Sequence, residues 1–221
     1  MLCPARQLMN FWNFVAQNKL EIADLTLEHL WMVGAATLFS IAIGIPLGIL
    51  ITRKPALRKP VIAAANIVQT IPSLALFGFL LPAPWIGDRA GRLAVLALTL
   101  YALLPLIRNT YTGIKGVDRA VVEAARGMGL TDWQLLSKVE LPLAASVIIA
   151  GVRVAVVISI GLATIAAAIG AGGLGELIFR GLAMVNNDVI LAGAIPAALM
   201  ALSADTLLGW LEKRLSPPRA A

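Results

Sequence analysis

Residues 123–142 read EAARGMGLTDWQLLSKVELP, and the interpretation of the whole chain depends on this stretch. It is polar, it is interrupted by Gly127 and Gly129, and it ends at Pro142. The residues on either side of it, 93–107 and 143–169, are among the most apolar of the chain. Polar residues avoid an apolar environment unless they are paired, so this stretch is expected to lie in water. The question is then whether the flanking segments cross a membrane.

The composition indicates an all-α integral membrane protein. Of 221 residues, 59% are hydrophobic and 14% are charged, whereas soluble domains are about 45–50% apolar and about 25% charged. The chain has one cysteine, Cys3, and one histidine, His29. These counts exclude an intrachain disulfide and a Cys/His metal cluster, and they argue against redox and zinc enzymes. The net charge of +6 is better explained by its distribution across a membrane than by nucleic-acid binding.

Five segments are long and apolar enough to cross a bilayer as helices, which takes about 20 residues each. The third is short unless it extends toward Ile114, and the ends of the fourth are uncertain because Arg153 lies inside it. The five predicted spans are residues 30–52, 61–81, 93–107, 143–169 and 189–211.

The lysines and arginines predict the orientation, because cytoplasmic loops carry an excess of them. One set of loops holds Arg53, Lys54, Arg58, Lys59, Arg108, Lys115, Arg119, Arg126, Lys138, Lys213, Arg214 and Arg219. The opposite set holds only Arg6, Lys19, Arg89, Arg92 and Arg180. The first set is therefore assigned to the cytoplasm, with the N-terminus outside and the C-terminus inside. Residues 123–142 then lie in a cytoplasmic loop.

The first residues of the chain favour an amphipathic helix at the membrane surface. Leu8, Phe11, Trp12 and Val15 recur at helical spacing, as in helices that lie in the interface. The segment lacks the continuous apolar core of a signal peptide. A loosely ordered tail is the alternative.

The cytoplasmic loop is predicted to form two short helices with a sharp bend between them. Gly129 can adopt the left-handed conformation that ends a helix. Thr131 and Gln134 have the spacing of a capping box that starts the next one, and Pro142 is expected to stop it. Such a pair is either a packed connector or an element that docks on a soluble partner. An exposed Trp133 would favour docking.

The same residues resemble the EAA loop of bacterial ABC-importer permeases. The pattern is EAA, three residues, G, nine residues and VELP, with Val139 where isoleucine is usual. The resemblance covers about residues 25–211 and implies a type I ABC-importer transmembrane domain, whose loop docks on a separate ATPase. The coupling residues that it implies, together with the tryptophan noted above, are Glu123, Ala124, Ala125, Gly129, Trp133, Leu141 and Pro142.

Two further motifs resemble the permeases of osmoprotectant importers, which carry glycine betaine, choline, carnitine and related quaternary ammonium compounds. They are QTIPSLALFGFLLP, residues 69–82, and IGAGGLGELIFRGL, residues 169–182. An importer for another small solute, such as an amino acid or methionine, is a close alternative. An ATP-independent transporter or channel is an alternative from a different class.

A polar stripe marks the second predicted span. Asn66, Gln69, Thr70 and Ser73 recur at intervals of three and four residues, which places them on one helix face. Pro72 is expected to open or kink the helix at the same turn. Polar groups at this depth usually face a bundle interior or an aqueous path, so the stripe is predicted to line the translocation pathway. Alternatively, it only holds helices together.

The glycines of residues 170–175, GAGGLG, fit a dinucleotide-binding pattern only formally. That pattern needs a strand before it, and here a predicted span precedes it. Gly170, Gly172, Gly173 and Gly175 are instead predicted to let the outer end of the fourth span bend and pack closely. The family resemblance places them near the outer gate and the solute-binding protein.

Arg153 and Asp205 are the two charged residues inside predicted spans. Charges at membrane depth tend to find a partner, so an ion pair between them is the candidate arrangement. Otherwise Arg153 would extend to the cytoplasmic surface and Asp205 would contact another subunit.

The chain has no Gly-x-x-x-x-Gly-Lys-Ser/Thr phosphate loop, so ATP and Mg²⁺ are assigned to a partner ATPase and no cofactor to this chain. It is interpreted as a transport subunit rather than an enzyme. The division implied is an N-terminal external or interfacial segment, residues 1–24, a transmembrane domain, residues 25–211, with its coupling loop at about residues 115–142, and a cytoplasmic tail, residues 212–221. The expected partners are ABC ATPase subunits, a second permease copy or similar chain, an external solute-binding protein and the lipid bilayer of the bacterial inner membrane, with no nucleic acid.

Overall fold

The computed structural model describes residues 4–82 and 90–216, and their side chains from residue 11 onward. Ten α-helices make up most of this part of the chain. Short 3₁₀ turns occur at Pro55–Leu57 and Ala167–Ile169, and one π-helical turn occurs at Leu136–Glu140. The helices are α1 Pro4–Gln17, α2 Lys19–Arg53, α3 Arg58–Thr70, α4 Ser73–Leu80, α5 Ala90–Lys115, α6 Arg119–Gly127, α7 Asp132–Leu135, α8 Leu141–Ala166, α9 Gly175–Ala183 and α10 Asn187–Leu215.

Four continuous helical segments of the described chain are long and apolar enough to cross a membrane: Lys19–Arg53, Ala90–Lys115, Asp132–Ile169 and Asn187–Leu215. The second of the five predicted spans is broken. Its halves, Pro55–Thr70 and Ser73–Leu80, meet at 97°. The structure therefore has four candidate spans, or five if the bent pair counts as one.

Pro72 causes this break. It has no N–H to donate, and it keeps the preceding Ile71 in an extended conformation with φ −72° and ψ 128°. The helix predicted over residues 61–81 therefore ends at Thr70, and a new helix starts at Ser73 in a different direction. The kink expected at Pro72 is confirmed, although it is larger than a kink within one helix.

The third span is longer than residues 93–107 and includes Ile114, as the longer of the two predicted spans does. Helix α5 continues to Lys115, so that Arg108 lies inside a helix and not in a loop. The continuation is explained by packing, because Thr110 and Ile114 are buried and Gly113 allows α8 to approach closely. A Cβ at residue 113 would lie 3.1 Å from that of Val147.

Pro142 does not stop the second helix of the loop, and that prediction is wrong. The chain passes from α7 through the π-helical turn directly into α8, and Pro142 occupies its first turn. The N–H of Leu141 donates to the carbonyl of Leu136, five residues back. This change of hydrogen-bond register directly before Pro142 lets the helix continue past a residue that has no donor.

Helix α5 lies at the centre of the bundle, with α2 on one side and α8 on another. Small residues bring these helices together, as is common in membrane proteins. A Cβ at Gly44 of α2 would lie 2.8 Å from the Cβ of Leu106, and one at Gly151 of α8 would lie 2.6 Å from that of Asn109. The main buried cluster, which includes Met32, Phe77 and other side chains of α2, α4, α5 and α8, fills the space between them.

The N-terminal segment is helical and packed, in agreement with the amphipathic-helix prediction. Phe11, Phe14 and Val15 contact a cluster that contains Leu174 and Leu177. The structure therefore has a helix over Pro4–Gln17 and not the loosely ordered tail that was the alternative.

The orientation predicted from the basic residues is tested by cysteine labelling in intact cells. The native Cys3 is first replaced by serine, and single cysteines are then introduced at Asn187 and at Asp132. Pro84, in the predicted outer loop, lies outside the described residues, so the outer probe is residue 187. We expect an impermeant maleimide to label residue 187 in intact cells and residue 132 only after lysis. Labelling of residue 132 before lysis would reverse the topology.

Candidate functional site

The bend of the cytoplasmic loop is a complete helix-ending motif. Gly129 has φ +84°, and its N–H donates to the carbonyl of Arg126 at 2.9 Å. The next N–H, of Leu130, donates to the carbonyl of Ala125 at 3.3 Å. This pair of bonds satisfies the last carbonyls of α6 and requires a left-handed residue at position 129. Ala125, only 2% exposed, lies on the inner side of the bend. The predicted role of Gly129 in turning the chain is confirmed.

The predicted capping box at the start of α7 is also present. The Thr131 hydroxyl accepts a bond from the N–H of Gln134 at 3.3 Å, and the Gln134 side-chain oxygen accepts from the N–H of Thr131 at 3.0 Å. Leu135 points inward and is fully buried, whereas Trp133 is 73% exposed. The caps fix the direction in which the indole projects.

The outer side of the loop combines apolar and charged groups. Met128 is 75% exposed, close in sequence to the exposed Trp133, and Glu123 pairs with Arg119 at 2.7 Å. We call the exposed residues Glu123, Ala124, Met128 and Trp133 the docking face. A methionine and a tryptophan exposed together and rimmed by charge are typical of an interaction surface.

The base of the loop is anchored in the bundle. Leu136 and Leu141 pack in a cluster with Ile114 of α5 and Ile148 of α8. Glu140 is only 5% exposed, and its carboxylate accepts two bonds from the Arg53 guanidinium at the end of α2, one of them at 3.1 Å. Pro142 lies on the exposed surface of α8. The loop is therefore tied to three helices of the bundle.

The polar stripe of the second span is divided by the break at Pro72. Asn66 accepts a bond from Arg108 of α5 at 3.1 Å, and Gln69 donates to the carbonyl of Tyr101 at 2.9 Å. Thr70 bonds within its own helix to Ile67. Ser73 starts α4, beyond the 97° bend, so it does not continue the face of α3. The prediction that all four side chains share one face assumed a straight helix and is wrong for Ser73.

Two residues that the sequence did not single out line a cavity beside Gln69. The cavity has a volume of about 240 Å³, and Arg108 and Asn109 of α5 contribute its other polar groups. Val154 and Ile158 of α8 form its apolar wall. Extending the third span to Ile114 would have placed both polar residues at span depth and made them candidates.

Arg153 and Asp205 form the ion pair considered from the sequence. Both guanidinium–carboxylate bonds are short, 2.6 and 2.7 Å. The carboxylate of Glu212, which the sequence did not indicate, lies 3.3 Å from the same guanidinium. Gly209 leaves room for the guanidinium, since a Cβ there would lie 3.0 Å from it. These groups line a second cavity of about 360 Å³, which shares Val154 and Ile158 with the first.

The glycine segment after α8 bends as the sequence predicts. Gly170, Gly172 and Gly173 have φ angles of +76°, +87° and +78°, a region that other residues rarely adopt. The N–H of Gly173 donates to the Glu28 carboxylate of α2 at 3.0 Å. Gly175 is required for close packing, because a Cβ there would overlap the Thr164 carbonyl oxygen.

No three His, Cys, Asp or Glu side chains of the described residues are grouped so that they could hold a metal ion. The groups that converge are amides, guanidinium groups and carboxylates joined to one another. These bonds join neighbouring helices to one another.

Residues 44–217 match the family of binding-protein-dependent transport system inner membrane components. The carnitine transport permease protein OpuCD of Listeria monocytogenes is 50% identical over 191 residues, 86% of this chain and 84% of that protein. The glycine betaine/carnitine/choline transport system permease protein OpuCD of Bacillus subtilis is 46% identical over 211 residues, 95% of this chain and 91% of that one.

A solved structure of the MetNI methionine ABC transporter in an inward-facing conformation shares the fold. The TM-score is 0.78 at 22% identity, and the match covers 86% of this chain and 94% of that one. At this identity the likeness concerns the fold alone.

The close approach at Gly175 predicts a loss of stability on substitution. A Cβ at residue 175 would lie 2.7 Å from that of Ala167 and against the helix backbone, so Gly175→Ala should destabilise the protein by about 1–3 kcal/mol, the usual cost of overpacking. Gly161→Ala is the matched control, because nothing lies within 4 Å of its Cβ position. The measurement is the thermal unfolding midpoint of the purified protein in detergent. Equal midpoints for the two variants would contradict the packing described here.

Proposed function

Because this chain belongs to the binding-protein-dependent transport system inner membrane components, we propose that it is the membrane-spanning permease of an ATP-driven importer for osmoprotectants. The observation that carries this conclusion is the identity of 46–50% with permeases named for carnitine, glycine betaine and choline, over 86–95% of the chain. The chain is a transport subunit. It contributes binding and conformational change rather than bond chemistry.

The solutes named for these relatives share a quaternary ammonium group, so this is the solute class that we assign to the importer. Aromatic residues are only 6% of the chain and are scattered along it, so we assign no aromatic cage for such a cation to this chain. We therefore assign high-affinity recognition to an external binding protein. The permease needs only a polar path of sufficient width.

We propose that the docking face of the cytoplasmic loop binds the ATPase. Its support is the combination of an exposed Met128 and Trp133 with a rigid frame, in which both helix ends are capped. A capped element keeps its shape when it is pushed, so it can transmit force instead of unfolding. Leu141 and Pro142 lie where the loop joins α8, and the buried base at Leu136 connects them to the bundle.

We assign the translocation pathway to the cavity bounded by Gln69, Arg108 and Asn109, with Asn66 beside it. Amide and guanidinium groups at this depth are costly against lipid, whereas they are satisfied against water or a polar solute. The break at Pro72 follows Gln69 by three residues, so α3 ends beside this cavity. The glycine segment, residues 170–175, would then form part of the outer gate.

One copy of the chain supplies one coupling loop, whereas an ABC core has two ATPase subunits. The complete importer is therefore proposed to contain two copies, or this chain with a similar one, together with an external binding protein. ATP and Mg²⁺ are bound by the ATPases. Closure of the ATPases around ATP would move both loops and switch the pathway between outward and inward opening.

The solute assignment is tested by uptake in cells that lack their own osmoprotectant importers. We expect uptake of labelled glycine betaine only when the permease, an ATPase and a binding protein are all expressed. Excess carnitine or choline should compete, and methionine should not. Uptake that persists without the ATPase would indicate an ATP-independent transporter, and competition by methionine would indicate an amino-acid importer.

The docking role of the loop is tested by a matched pair of variants, Gly129→Val and Gly127→Val. A β-branched residue is a conformational outlier at φ +84°, whereas residue 127 is helical and has nothing within 4 Å of its Cβ position. We expect Gly129→Val to insert normally but to lose solute-stimulated ATP hydrolysis in the reconstituted complex. Gly127→Val should retain it. Equal loss in both would point to bulk at the contact rather than loop shape, and wild-type behaviour of Gly129→Val would contradict the docking role.

A further inference from the structure

Helix α2 is attached to the rest of the molecule at both of its ends. It runs from Lys19 to Arg53 as 35 helical residues, a length of about 52 Å at 1.5 Å per residue. At one end, Arg53 pairs with Glu140 at the base of the cytoplasmic loop. At the other end, Glu21 and Glu28 bind Arg180 and Gly173, which lie in α9 and in the glycine segment.

The contact at the loop end is suited to transmitting movement. Glu140 is the last residue of the π-helical turn that joins the docking face to α8. Its carboxylate is buried and accepts hydrogen bonds from the two terminal nitrogens of the Arg53 guanidinium. A two-point pair fixes the relative orientation of its partners, and separating it would leave a buried charge without a partner. A displacement of the loop base therefore displaces the end of α2.

The contacts at the opposite end hold the segment that we assign to the outer gate. Arg180 lies 2.7 Å from Glu21, and the N–H of Gly173 lies 3.0 Å from Glu28. His29, which follows Glu28 in the chain, is fully buried, with Nε2 3.2 Å from the carbonyl of Ile160 of α8. A Cβ at Gly173 would lie 3.2 Å from His29 Nδ1, so this segment is closely fitted to α2.

The middle of α2 is packed too tightly to absorb such a displacement locally. Gly44 and Gly48 bring its backbone onto α5, where a Cβ at residue 48 would overlap the side chain of Thr110. Pro46, the proline inside the helix, lies between these two glycines in the sequence, and its own side chain is exposed. Close-packed helices shift between discrete arrangements rather than deforming gradually.

We propose that α2 transmits movement from the cytoplasmic loop of this permease to its outer gate. Through Arg53–Glu140 at one end and Glu21–Arg180 with Glu28–Gly173 at the other, it passes the ATPase-driven movement of the coupling loop to the outer gate. This inference rests on the proposed docking of the loop on an ATPase. Arg53, Glu140, Glu21, Glu28 and Arg180 are positioning residues in it, since none of them is assigned a contact with solute or nucleotide.

The inference is tested in the complex of permease, ATPase and binding protein reconstituted in nanodiscs. The variants are Arg53→Gln, Glu140→Gln and Arg180→Gln, together with the exchanged pair Arg53→Glu with Glu140→Arg. Lys54→Gln is the control, because it removes the adjacent, exposed positive charge and Lys54 has no ion pair among the described residues. For each variant, ATP hydrolysis and, in proteoliposomes, glycine betaine transported per ATP are measured.

A second measurement reports directly on the end of the protein that carries the proposed outer gate. Met184, exposed at the end of α9, is replaced by cysteine in a Cys3→Ser background, and its maleimide labelling rate is measured with and without ATP. In the parent protein, we expect ATP to change this rate.

In Arg53→Gln and Glu140→Gln, hydrolysis should continue, the ATP-dependent change in labelling should disappear, and solute transported per ATP should fall at least about fivefold, the lower end of coupling between linked sites. Arg180→Gln should show the same uncoupling. The exchanged pair should restore both quantities, and Lys54→Gln should leave them unchanged.

Three results would overturn the proposal. The first is an unchanged transport ratio and labelling response in Arg53→Gln and Glu140→Gln while Gly129→Val is uncoupled, which would leave the docking role intact but remove α2 from the transmission. The second is an equal loss of hydrolysis and transport that the exchanged pair does not restore, which would show that the ion pair only stabilises the fold. The third is wild-type behaviour of Gly129→Val, in which case the docking role itself fails.

Discussion

Inside a bilayer, every backbone N–H and C=O group must find its partner within the protein, because no water is present to replace it. Three of the places where the described chain departs from regular helix show how this requirement is met. At the break before Pro72, the carbonyl of Ile71 accepts a bond from the Tyr101 hydroxyl. Before Pro142, Leu141 donates within the π-helical turn. In the glycine segment, Gly173 donates to Glu28. At each of these places, a backbone group next to the irregularity therefore has a hydrogen-bond partner within the protein.

Features set by neighbouring residues were predictable from the sequence. The capping box at Thr131, the left-handed Gly129 and the break at Pro72 all follow from local backbone rules, and the structure has each of them. Four of the five spans followed from apolar length, whereas the second is divided into two helices at Pro72. The pair of Arg153 and Asp205 could be considered from the sequence because charged residues inside predicted spans are few and tend to pair.

Features set by distant contacts were not predictable. Pro142 continues its helix because a π-helical turn precedes it, and no residue type announces such a turn. Helix α5 extends past Arg108 because α2 packs on Thr110 and α8 packs on Gly113, contacts that periodicity does not encode. The pair of Arg53 and Glu140 joins residues 87 positions apart. One sequence without this geometry offers no reason to choose these two among the many charges of the loops.

The caps of the cytoplasmic loop also bear on how such a transporter can change partners. Both helix ends of the bend are satisfied by residues within positions 125–134, and the side chains of Met128 and Trp133 take no part in these bonds. Met128 and Trp133 contribute little to holding the bend together, since most of their surface is exposed. If the docking face binds the ATPase as proposed, substitution at these two positions would change the choice of ATPase and leave the bend intact. On that proposal, the residues that contact the partner and the residues that hold the bend are different members of one short peptide, so the contact residues can vary without a compensating change in the bend.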